Sequence, residues 1–145
     1  MAGTWKWYGN GLLNALKGNI DFDTDTFKLM LTSSAYTPDQ DAHDFRNDVT
    51  NEVGASGTYA SGGATLSGVS VTYDSASNEA RISWTSPSFT SATITARTAV
   101  IYKSRGGASS ADELVAYCTE SADVSSTAGT FTVSLPTPTL KITAA

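Results

Sequence analysis

Basic residues are scarce in this 145-residue chain. Nine Lys plus Arg face fourteen Asp plus Glu, for a net charge of −5. Nucleic-acid binding needs a cationic stripe to neutralise phosphates, and none is present. Cysteine is nearly absent as well. Cys118 stands alone, which excludes an intrachain disulfide framework and a zinc site built on cysteine. No apolar run approaches the ~20 residues of a membrane-spanning helix. Met1–Lys6 leads into no apolar signal core, so no secretory leader is expected. Charged residues make up only 16 % of the chain, against ~25 % in an average soluble domain.

Serine and threonine fill the space, at 40 positions. Among them run apolar residues with clear periods. Tyr8, Leu12 and Leu16, with Leu13 beside them, predict a short amphipathic helix over 8–17. Asn10 is a candidate cap, and Gly18 suits the left-handed position after the last turn. The apolar face of such a helix must dock, because a free helix of this length is marginal in water.

Phe27, Leu29 and Leu31 alternate with Lys28, Met30 and Thr32 and predict a strand over 26–32. A long polar loop follows at about 33–63. It holds the Thr37-Pro38-Asp39 turn signal and one or two helical turns around Phe45, Val49 and Val53. Beyond Ala64, short strands are expected around 69–73, 79–84, 93–103, 114–119, 131–135 and 140–142, with a hairpin at 74–78. In the longest of these runs, 93–103, Ile94, Ala96, Val100 and Tyr102 are expected on one face and Ala99 and Ile101 on the other.

Some seven strands joined by polar turns predict a mainly β fold, an antiparallel β-sandwich or partly open barrel with a short N-terminal helix. The expected organisation is an N-terminal arm at 1–7 and one domain at 8–145. Phe27, Leu29, Leu31, Ile82, Trp84, Ile101, Phe131 and Val133 are the expected core.

Catalytic constellations are thin. His43 is the sole histidine, and no Gly-x-Ser-x-Gly elbow exists to present a nucleophile. Asp21, Asp23 and Asp25 have the rhythm of a calcium loop, but Thr26 and Thr32 stand where it needs glycine and a bidentate glutamate. A polar turn is the simpler reading. Asp39, Asp41, His43 and Asp44 form a looser cluster. Glu52, Glu79, Glu113 and Glu120 are scattered without the spacing of a glycosidase pair. The expectation is a protein that is not an enzyme and needs no metal or cofactor.

The order of motifs carries a resemblance. Thr26–Thr32 is followed by Tyr36-Thr37-Pro38-Asp39, His43-Asp44-Phe45 and Asp48–Val53. Next come Gly57–Leu66, Val71–Asp74, Trp84 and Ala92–Lys103. Glu113–Tyr117 and Gly129–Val133 close the series. Over about residues 8–135 the chain resembles a family of small structural proteins of tailed bacteriophages. The resemblance implies a capsid decoration, or cement, protein on the outside of the virion. Its partner would be the major capsid protein or another virion protein. Self-association is expected as well, with a trimer as the expected form, because symmetry multiplies individually weak contacts with a repeating lattice. A tail, neck or receptor-side component is the alternative, and a small carbohydrate-binding module or hydrolase is a third.

Attachment is expected from aromatic residues that the core pattern does not claim. These are Trp5, Trp7 and Tyr8 at the N-terminus, and Tyr36, His43, Phe45 and Arg46 in the long loop.

Overall fold

The computed structural model describes residues 1–144. Eight strands form two antiparallel sheets: β1 (Trp5–Trp7), β2 (Phe27–Thr32), β3 (Ala64–Thr65), β4 (Ser70–Asp74), β5 (Glu79–Ser83), β6 (Ser88–Lys103), β7 (Leu114–Thr132) and β8 (Leu140–Thr143). One sheet has the order β1-β7-β6-β2-β3 and the other β4-β5-β8. The architecture is an open β-sandwich with one short helix, α1 (Gly9–Leu16).

Alternation sets the faces. Phe27, Leu29 and Leu31 of β2 point into the main core, where they meet Ile82 and Leu140 of the small sheet and Trp84 just beyond β5. All eight expected core residues are buried. The opposite face of the large sheet carries a second, smaller core of Tyr8, Met30, Tyr36, Val100, Tyr102, Leu114 and Tyr117.

Four expectations need correction. Residues 1–7 are not an arm, because Trp5–Trp7 pairs antiparallel with Trp5 opposite Cys118 and Trp7 opposite Ala116. The Met1 ammonium donates to the Thr132 carbonyl at 2.8 Å, and the Ala2 and Gly3 N–H groups donate to Glu120.

The second correction concerns β7. It is one long strand rather than two short ones, and it pairs with β6 almost throughout.

The third concerns the faces of β6. A register shift between Ala96 and Thr98 changes its phase, so Ile94 and Ala96 share the main core with Ala99 and Ile101, whereas Val100 and Tyr102 face the second core.

The fourth concerns α1. Asn10 does not cap it; Tyr8 holds the cap position without a side-chain bond. Its end is as expected: Gly18 sits at φ +77°, with Gly18 N–H to Ala15 O and Asn19 N–H to Asn14 O closing the last turn. The helix docks through Gly11, not through its leucines. A Cβ there would lie 2.5 Å from the Leu114 carbonyl oxygen, so only glycine permits this approach to β7. Leu16 is left 73 % exposed and Leu13 is exposed too.

Candidate functional site

The long loop is a cover, not a free arm. β2 pairs with β6 on one side; on the other, β3 meets only Lys28 and Leu29, and the rest of the strand needs partners for its backbone groups. Val53 N–H donates to Leu31 O, Ser33 N–H to Asn51 O, and the Tyr59 hydroxyl accepts from Leu31 N–H at 2.9 Å. Tyr59 in turn donates to Glu52, whose carboxylate also accepts from Ser61 and from Gly62 N–H. A 3-10 turn at Arg46–Asp48 replaces the expected helical turns.

Within this cover the expected attachment residues divide into two groups. Tyr8 is fully buried, its ring 4.7 Å from that of Tyr117. Its hydroxyl lies 2.8 Å from that of Tyr36, which lies 3.0 Å from His43 Nδ1. The Asp39 backbone N–H also donates to Nδ1. A backbone N–H can only donate, so Nδ1 is an acceptor, Tyr36 donates to it, and Tyr8 donates to Tyr36. Tyr36 is buried and stacks on the imidazole at 5.7 Å.

Burial pushes the Tyr8 phenol far above its ordinary value, with the Tyr36 bond adding to the effect. Desolvation likewise raises Tyr36 and takes Tyr102 to about 12. These phenols stay protonated and serve as structural donors.

Arg46 Nε donates to the buried Asp112 at 2.9 Å, and its guanidinium lies over the Tyr102 ring at 5.2 Å. Half-buried Phe45 bridges to Glu113 through its backbone. Asp48 accepts the N–H groups of Asp44 and Phe45. Burial works against the Asp48 anion, but those N–H groups hold its carboxyl below the usual range. Burial and the facing Asp48 raise Asp44.

Trp5 and Trp7 lie on the other side of the sheet. Trp5 is buried and donates its indole N–H to Ser134 O; half-buried Trp7 donates to Lys141 O and meets Phe22 edge-on at 6.0 Å. Both line a cleft of about 450 Å³ together with Glu79, Arg81, Pro138 and Lys141. Glu79 is its one carboxylate among the described residues. Lys141 at 2.7 Å, then Arg81 and Ser77, bind that group and hold its pKa below the usual range. The two-carboxylate mechanism of glycoside hydrolysis needs a second carboxyl group across the substrate, and this lining does not provide one.

Thus Trp5, Tyr8 and Tyr36, expected as adhesive residues, are buried within the domain's own cores. The sequence pattern could not separate the two roles, because an aromatic at a terminus or in a loop serves either. The large apolar side chains left exposed are Leu13 and Leu16 on α1, and Val69, Val71 and Tyr73 on or beside β4. Of these, Leu13 and Leu16 belong to the helix face that periodicity predicts to be docked, and the structure leaves both exposed.

The Asp21–Asp25 segment is a turn. Asp25 accepts from Asp21 N–H and pairs with Lys103, while Asp21 accepts from Asp23 N–H. No group of three potential metal-ligating side chains converges among the described residues. Comparison with protein-family models, with curated proteins and with solved structures yields no match.

Proposed function

We propose that this chain is a non-catalytic structural protein of a tailed-bacteriophage virion, a decoration protein bound to the outer lattice of the major capsid protein. The observation that carries this reading is the division of its apolar surface. The loop and the N-terminus are tied down by hydrogen bonds, while large apolar side chains stand exposed on regular elements. A rigid domain presenting apolar contacts loses little conformational entropy when it binds a repeating surface. The ordered motifs from Thr26 to Val133 support the same reading.

The lattice contact is assigned to Leu13 and Leu16 of α1, in place of Trp5, Tyr8 and Tyr36. Imaging of particles that contain this chain tests the proposal. Density at symmetry sites on the head exterior supports decoration. Rings of six or twelve copies would move the protein to the tail or neck, and absence from particles would overturn a virion role. On the decoration reading, Leu16→Lys lowers occupancy while the isolated domain melts unchanged.

A further inference from the structure

β4 is an outer strand of the three-stranded sheet, and among the described residues it pairs with β5 alone. The ladder shows which backbone groups face that side. Ala144 N–H donates to Asn78 O across the β8–β5 pair, so residues 78, 80 and 82 address β8, and 79, 81 and 83 address β4. Their partners on β4 are Asp74, Thr72 and Ser70. The N–H and C=O groups of Val71 and Tyr73 therefore point outward.

The side chains at the same positions are apolar and open: Val71 is 44 % exposed, Tyr73 59 %, and Val69, just ahead of the strand, 36 %. Natural edge strands are commonly guarded by lysine, proline or a charge directed inward. Between Leu66 and Tyr73 there is neither proline nor charge. Asp74, the nearest charge, is bound by Arg81 of its own sheet.

We propose that β4 pairs antiparallel with β4 of a second copy across a two-fold axis, joining two three-stranded sheets into one of six strands. With the two-fold axis at Val71, the outward groups of both copies are satisfied. Val71 lies opposite Val71, Tyr73 opposite Val69, Ser70 opposite Thr72, and Asp74 opposite Gly68. Apolar residues meet apolar ones, with an aromatic against a β-branched side chain, and small hydroxyls meet each other.

The charges are compatible. The two Asp74 residues fall at opposite ends of the paired strands, about 20 Å apart at ~3.4 Å per residue. That distance exceeds the ~8 Å Debye length at physiological salt. The second copy is thus the occupant whose sequence fits the edge. The symmetry is two-fold, where lattice multiplicity alone led to the expectation of a trimer. The contact is small and belongs to the weak class of interfaces.

Sedimentation and light scattering on the full chain, up to about 0.5 mM to reach this weak class, test the pairing. The expected result is a concentration-dependent shift from one 15.1 kDa chain to two. Val71→Lys sets like charges opposite each other and raises the dissociation constant by about tenfold or more. Val71→Cys, oxidised, gives a covalent dimer, because Cα atoms in such a pair lie ~5.5 Å apart. Ser70→Cys does not, since its position is offset by two residues from its own copy.

A chain that stays monomeric, a trimer, or a dimer untouched by Val71→Lys overturns the proposal. Should Val71→Lys fail to fold, the two cysteine variants decide: cross-linking of both, or of neither, refutes the register. Solution mass tests this pairing and particle imaging tests the virion role, so either can fail without the other.

Discussion

Tyr59→Phe removes one oxygen and leaves the ring in place. That ring is buried and meets Phe89 edge-on at 4.9 Å, so its packing should survive. Two hydrogen bonds are lost. Leu31 N–H, inside the sheet, loses its acceptor at 2.9 Å, and Glu52 loses a donor at 2.9 Å. A buried donor left unsatisfied costs about 1–3 kcal/mol. The Glu52 bond adds less than its full strength, because Ser61 and Gly62 N–H still hold that carboxylate. The expected loss is therefore about 2–3 kcal/mol. For a domain of this size it corresponds to a fall in Tm of roughly 5–10 °C.

Denaturant titration with an unchanged slope gives the free energy, and hydrogen exchange at Leu31 locates the effect. Tyr73→Phe is the control, since its exposed hydroxyl bonds only to Asn78; it should cost under ~0.5 kcal/mol. A Tyr59→Phe loss no larger than the control, or unchanged protection at Leu31, would refute the idea that this hydroxyl completes the edge of β2.

Deleting residues 1–7 removes β1 and the buried Trp5. The loss of that ring alone costs about 3–5 kcal/mol, so the truncated chain should unfold or melt far lower; unchanged melting would reinstate a free arm. The Cys118 thiol is buried, which pushes its pKa to about 11. It should resist alkylation at pH 8 until the chain unfolds, and prompt labelling of the native protein would contradict the packing of β1 on β7. Stability should decline in acid. The Thr24 hydroxyl and the Asp23 N–H hold Asp21 below the ordinary 3.8, as the Ala42 and Asp41 N–H groups do for Asp39 and Ala76 N–H and Ser77 for Asp74. The unfolded chain takes up protons first, so this stabilisation is present above 3.8 and is lost as pH falls through the folded values. Urea midpoints that rise on acidification through this range would refute it.

Much of the framework was legible in alternation alone. Phe27, Leu29 and Leu31 had to share one face of a strand, and Gly18 marked the end of a helix. The eight core residues followed from the same period-two rule. Attachment was harder to read, because Tyr8 and Tyr36 reveal their role only when the loop folds back and their hydroxyls meet.

Three further features were settled by contacts between distant segments. Trp5–Trp7 became a strand because the edge of β7 was available to it. The faces of β6 changed phase because of a register shift that lies in the pairing and not in either strand alone. Leu13 and Leu16 were left outside because Gly11 let the helix backbone approach β7. Periodicity states which side chains share a face; whether anything covers that face depends on the long-range pairings that close over it, which are properties of the folded chain.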